Sequence, residues 1–214
     1  MKCTDCGAAV LPIVAVDIDG TLAEYHLRLA EFACDYHDLP VPTQPWDGLG
    51  DYEYFLGMSQ AMYREAKLAY RQGGYKRTAP VMPKALDFMN WLNTQPVEIW
   101  ITTTRPWSRL DSVDPDTQFW LKRHGIGFSH LLFDDHKYQK LAHIVNPDRV
   151  IAVIDDLPEM LGEAREYLPN ALPFLIARPH NAWASALGEF ASGTFADAYY
   201  RLSTLIGGRY DVNS

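Results

Sequence analysis

Val14-Ala15-Val16-Asp17-Ile18-Asp19-Gly20-Thr21-Leu22 is the stretch on which the reading of this chain turns. The apolar run from Ile13 to Val16 has the length and composition of a buried strand. It stops at two carboxylates one residue apart, then glycine and a hydroxyl. Side chains alternate along a strand, so Asp17 and Asp19 leave its end on the same side unless the backbone turns sharply at Asp19-Gly20. Two carboxylates held that close repel unless one keeps its proton or a cation with a taste for oxygen ligands bridges them.

Further strand-length apolar runs follow at Val97-Thr102, His130-Phe133, Val150-Ile154 and Pro173-Ala177. Longer amphipathic segments separate them. Pro115 to His124 reads as a helix with Asp114 as N-cap and Gly125 as its stop, and Tyr138 to Ile144, Pro158 to Tyr167 and Phe195 to Ile206 read as three more. This alternation predicts an α/β fold: a three-layer, doubly wound (Rossmann-like) parallel sheet. The interval after the first strand breaks the rhythm. It holds no convincing strand, but a helix at His26-Tyr36 and another at Ser59-Arg71 stopped by Gly73-Gly74, around a Pro, Trp and Gly-rich loop at Leu39-Leu56. Residues 23–82 are therefore expected to form a helical cap inserted after the first strand, with 1–22 and 83–214 as the core.

Composition narrows the function classes. The 214 residues are 48% hydrophobic, enough for a substantial core. Nineteen basic against 27 acidic residues give a formal net charge of -8, and no Lys/Arg run offers the footprint that polynucleotide binding needs. A small anionic substrate gripped through a metal fits better. The apolar stretch at 8–16 lacks a credible cleavage site and runs into Asp17, and no apolar run approaches the ~20 residues that span a bilayer. Three cysteines give no disulfide framework, which makes the cytoplasm the default compartment. A homodimer is left open.

Asp-x-Asp-Gly-Thr after an apolar strand resembles the first motif of the haloacid dehalogenase superfamily of phosphotransferases, and three further matches follow in order. Thr102-Thr103-Thr104-Arg105 at the end of the second strand looks like the motif whose hydroxyl bonds a phosphoryl group; Thr103 is favoured because Thr-x-Arg is a common setting for it, with Thr102 the near alternative. Lys137 resembles the third-motif lysine, with Lys140 as fallback. Val150 to Asp156 resembles the fourth motif, whose acidic pair completes a metal site. The resemblance implies magnesium held by Asp17, Asp155, Asp156 and the backbone carbonyl of Asp19. It implies Asp17 as nucleophile, and Asp19 as the acid and base, a role that calls for a raised pKa. Thr103 and Lys137 would cradle the phosphoryl oxygens, with Thr104 and Arg105 as further substrate contacts.

Between the second and third motifs there is room for one helix and one strand only, so specificity must come from the cap. The cap's size, the Ala79-Ala85 segment and Ile154-Asp155-Asp156-Leu157-Pro158-Glu159 resemble deoxyribonucleotidases of the 5'(3') type, where cap aromatics stack the base. Trp46, Tyr54 and Phe55 are the matching candidates for a nucleoside monophosphate. That family usually has Pro-Gly-Ala where this chain has Pro83-Lys84-Ala85. A polynucleotide-end phosphatase is the alternative, on Asp19-Gly20-Thr21-Leu22-Ala23 and on Arg105, Thr117 and Trp120-Leu121. A phosphate-binding protein without turnover is the alternative of another class.

Cys3-Thr-Asp-Cys6 with Cys34 and His37 has the shape of a Cys3His zinc site, but half a motif is outweighed by ordinary thiols. His26, His124, His130, His136 and His143 show no metal-ligand spacing, and His180 reads as a loop histidine near the site.

Overall fold

A computed structural model describes residues 10–210. In chain order they form β1 (Ile13–Asp17), α1 (Tyr25–Tyr36), α2 (Tyr52–Phe55), α3 (Gln60–Gln72), α4 (Ala85–Leu92), β2 (Glu98–Thr103), α5 (Val113–Arg123), β3 (His130–Phe133), α6 (Lys137–Ile144), β4 (Val150–Asp155), α7 (Pro158–Tyr167), β5 (Leu172–Ile176), α8 (Ala182–Leu187), β6 (Ala191–Gly193) and α9 (Phe195–Tyr210). The six strands make one parallel sheet in the order β3-β2-β1-β4-β5-β6. The order reverses at β1, and the crevice beyond the strand ends at such a point is where open α/β sheets place ligands.

Alternation along the strands builds two apolar layers. Val14, Val16, Ile99, Ile101, Ile154 and Phe174 face one side with α4, α5 and α9. Ile13, Ala15, Val150, Val153 and Leu175 face the other with α6 and α7. Strands buried on both faces are the reason these segments read as unbroken apolar runs. A third cluster, including Leu29, Ala33, Cys34, Tyr52, Ala66 and Tyr70, lies wholly within α1, α2 and α3 and the residues joining them. No described helix is long and apolar enough to cross a membrane.

Several boundaries differ from the sequence reading. The fifth helix begins at Val113, so Pro115 sits inside the first turn, where its missing N–H leaves no bond unmade. Helix α4 was not expected, because its segment Ala85-Leu-Asp-Phe-Met-Asn-Trp-Leu92 is apolar around most of its girth and follows Pro83. Lys84 enters it at φ 66°, a left-handed conformation that glycine favours. Lysine thus stands here in a conformation that glycine adopts more readily. Strand β6, Ala-Ser-Gly, was missed for lack of β-branched residues; pairing with β5 creates it.

Candidate active site

Asp17 ends β1, Thr103 ends β2 and Asp155 ends β4, and both neighbours are hydrogen-bonded to β1. Parallel register therefore gathers the first, second and fourth motifs at one edge. Lys137, first residue of α6, brings the third. Its Nζ donates to Asp17 Oδ1 at 2.5 Å and lies 2.7 Å from Asp155 Oδ2. Lys140 is exposed. Tyr138 donates its hydroxyl to Asp155 Oδ2 at 2.6 Å, and Glu163 on α7 accepts the backbone N–H groups of Tyr138 and Gln139, holding the start of α6 in place.

The electrostatics follow from burial. It pushes the Asp17 carboxyl well up; Lys137 pulls it back, and the charges of Asp155 and Asp156 push it up again. Asp155 is raised by burial and by Asp156, against Lys137. Burial opposes the charge on Lys137, but Asp155 and Asp17 outweigh it and hold the ammonium well above the usual lysine range.

Asp19 behaves differently from the expectation of a raised pKa. Burial pushes it up, but Arg105 and Lys76 outweigh burial and hold it well below the carboxylate range. Arg105 grips it with two bonds, Nε to Oδ2 at 2.9 Å and Nη2 to Oδ1 at 2.5 Å, while its Nη1 donates to Thr117 Oγ1 at 3.0 Å. Lys76, in a short 3-10 turn after α3, also donates to Asp19 Oδ2. Burial lowers the pKa of Lys76 to about 7, with Asp19 opposing the shift and Arg105 adding to it. The side chain of Asp19 is thus engaged with cations rather than turned to the acidic group formed by Asp17, Asp155 and Asp156.

Gly20 links the two halves of the first motif. Its φ is 93°, and a Cβ there would stand 2.0 Å from Asp156 Oδ2, so the turn after Asp19 and the approach of Asp156 both require glycine. Arg178 donates to the carbonyls of Gly20 and Thr21, and Thr21 Oγ1 donates to Asp156 Oδ1 at 3.0 Å.

No protein-family profile matches this sequence, and no curated protein does. Solved structures match over nearly the whole chain. A HAD family hydrolase of Deinococcus radiodurans, with bound phosphate and sodium, is 17% identical with a TM-score of 0.59, over 94% of this chain and 98% of that one. The chain has the haloacid dehalogenase fold. A predicted phosphatase of Clostridium acetobutylicum (12% identity, TM-score 0.59, 92% and 100% covered) and a predicted phosphoglycolate phosphatase of Haemophilus somnus (14%, 0.58, 90% and 98%) share it.

On this haloacid dehalogenase fold, Asp17, Asp155 and Asp156 each offer a carboxylate oxygen, all within 4.8 Å of one another. Of these three buried carboxylates, Asp17 and Asp155 share the one ammonium of Lys137, and Asp156 has only the His180 imidazole as an ion-pair partner among the described residues, so the group gains from a further cation. A hard divalent cation that takes oxygen ligands fits that donor set. Of the two candidate hydroxyls, Thr103 Oγ1 accepts the backbone N–H of Arg105 at 3.3 Å, whereas Thr102 Oγ1 is buried without a hydrogen-bond partner. Thr102 lies opposite Asp17 in the β1–β2 register. Thr104 is half-buried beyond the strand end.

A cavity of about 480 Å³ opens between residues 41–46 of the insertion and the loop after β5. Trp46, Tyr52, Phe55, His26 and His180 are among its walls. Trp46 packs edge-on against Tyr52 at 5.0 Å, and its Nε1 is buried without an acceptor. Tyr54 is not part of this wall: α2 turns Tyr52 inward and leaves Tyr54 85% exposed. His26, on α1, is 4.5 Å from the His180 ring centre to centre; burial and then the neighbouring His180 lower its pKa to about 4.

Sequence reading missed Lys76, Tyr138 and Glu163. Lys76 lies in an unremarkable Tyr-Lys-Arg stretch, and Tyr138 and Glu163 act only through contacts between α6, β4 and α7. Cys34 is buried inside the third cluster and His37 Nε2 lies 2.8 Å from Met62 O; Cys3 and Cys6 fall outside the described residues.

Proposed function

We propose that this chain is a magnesium-dependent phosphate monoester hydrolase that acts through an aspartyl-phosphate on Asp17, with a nucleoside monophosphate as substrate. The observation that carries the reading is the convergence of Asp17, Lys137, Asp155 and Asp156 at the strand ends, beside an Asp19 clamped by Arg105 and Lys76. An Asp17 carboxylate oxygen attacks phosphorus while the bond to the ester oxygen breaks. Asp19 delivers a proton to that leaving oxygen, then takes one from the water that hydrolyses the aspartyl-phosphate. Lys76, with a pKa near 7 and bonded to Asp19, is the store from which that proton comes. Lys137 and Thr103 hold the phosphoryl oxygens as their charge redistributes. Magnesium, when bound, neutralises the buried carboxylates and the incoming phosphate together.

The nucleotide rests on the cavity. We read residues 23–82 as the cap that selects substrate, with Trp46 and Phe55 as the stacking surfaces and Tyr52 in the place expected of Tyr54. The orphan Trp46 N–H is a donor suited to an acceptor on the base. Closure over the site excludes bulk water.

The test is phosphate release from ribo- and deoxyribonucleoside monophosphates, sugar phosphates and a 3'-phosphorylated oligonucleotide, with magnesium or EDTA, using wild type and Asp17→Asn. Magnesium-dependent release from one mononucleotide class, lost in the variant, is the expected result. Release from the oligonucleotide alone moves the reading to end repair, where the Arg105–Thr117 bond would serve. No release from any member, by folded protein, refutes the proposal.

A further inference from the structure

His26, Asp156 and His180 each present one ligand atom, and the three atoms lie within 4.8 Å of one another. No spacing in the sequence announces this group; α1 supplies one imidazole, the loop after β5 the other, and the end of β4 the carboxylate. His180 Nε2 is 2.8 Å from Asp156 Oδ2 with its side chain 9% exposed, yet both atoms are buried and neither has a hydrogen-bond partner. The pair is an ion pair when the imidazole is protonated; with the imidazole neutral, two buried acceptor atoms lie side by side, and a cation between them would satisfy both. The second imidazole, His26, lies beside this pair, its ring centre 4.5 Å from that of His180, and both histidines line the cavity.

From these contacts we propose a second metal site, formed by His26, His180 and Asp156, for a borderline divalent transition ion of which zinc is the type. Two imidazoles and one carboxylate are the donor set such ions take, with the fourth position open toward the cavity. It differs in kind from the all-oxygen group of Asp17, Asp155 and Asp156, which suits a harder ion. Asp156 belongs to both groups and couples them. The ligands have their supports: Asp156 accepts from Thr21 Oγ1 through its other oxygen and from Asn181 Nδ2 through its backbone carbonyl, and the rings of Trp46 and Tyr52 pack near that of His26. Because His26 belongs to the 23–82 insertion and the other two ligands to the sheet side, an ion bound here ties one to the other. The proposal does not depend on phosphatase activity.

The test is equilibrium dialysis of zinc against the full chain in millimolar magnesium, in a Cys3→Ser/Cys6→Ser background that removes the N-terminal thiols. Cobalt substitution gives a second readout in the visible spectrum. One equivalent is expected in that background, with d–d bands and no thiolate charge-transfer band, and binding at least about 100-fold weaker in both His26→Ala and His180→Ala. Circular dichroism establishes that both variants are folded, and His180→Gln, closer in shape, repeats the measurement if His180→Ala is not. Affinity unchanged by the histidine substitutions, a thiolate band, or no zinc retained in the Cys3→Ser/Cys6→Ser background would each overturn the site.

Discussion

Lys137→Met removes the single ammonium from a pocket that holds Asp17 and Asp155, whose side chains are 7% and 0% exposed. Deleting one partner of a buried ion pair leaves an uncompensated charge and costs about 3–5 kcal/mol. In a chain of this size each kcal/mol moves Tm by roughly 2–4 °C, so a fall of roughly 6–20 °C follows. The loss depends on pH with a definite sign. Asp17 and Asp155 have folded pKa values raised above the unfolded ~3.9, so they destabilise the fold above their folded pKa values, and that cost shrinks as pH falls toward ~4. Lys137, raised in the fold, contributes stability that is complete below the unfolded ~10.4 and is lost only as pH rises through its folded pKa. The penalty of Lys137→Met is therefore largest near neutral and mildly alkaline pH and smaller in acid, where the carboxylates take up protons. Urea unfolding of wild type and variant at about pH 8 and about pH 5 measures it. Magnesium should recover part of the loss at the higher pH by supplying the missing positive charge. A loss of only about 1 kcal/mol at pH 8, the size seen for an exposed pair, or an equal loss at both pH values, would refute the reasoning.

Lys76→Met should abolish a limb near pH 7 in the profile of kcat/KM against pH, because Lys76 titrates there beside Asp19; a limb that survives assigns it to another group. Thr103→Val should lower kcat/KM by about 10²–10³ if its hydroxyl holds the phosphoryl group. Thr102→Val, which deletes a buried hydroxyl without a partner, should raise stability by about 1 kcal/mol and leave kcat/KM near wild type; the opposite pattern moves the phosphoryl role to Thr102. Lys84→Gly should stabilise by about 0.5–1 kcal/mol in thermal unfolding, by relieving a left-handed lysine whose exposed pairing with Asp87 contributes little; destabilisation would show that the lysine side chain matters more than its backbone.

The parallel sheet was legible because its strands are buried on both faces and read as bare apolar runs. The acidic residues were legible because each group closes an apolar strand-length run, Asp17 before Ile18-Asp19-Gly20-Thr21 and Asp155-Asp156 after Val150-Ile154. Tyr54 was misplaced for lack of a signal in the loop: only the single turn of α2 shows that Tyr52 faces the cavity. The charge state of Asp19 could not be read at all, since it depends on Lys76 and Arg105, 57 and 86 residues further along.

By itself the sequence determined the α/β class, and through a family resemblance it named the strand ends, with Asp17, Lys137, Asp155 and Asp156, as the candidate site. Periodicity and strand-end position are local properties, so each strand, helix and motif is readable within its own short segment, and the class follows from their order along the chain. Only the tertiary structure decided that Asp19 is clamped by two cations, that Glu163 steadies Lys137, and that His26 and His180 meet at Asp156. Those features are contacts between elements remote in the chain, and burial, which the sequence pattern alone does not quantify, sets their electrostatic strength.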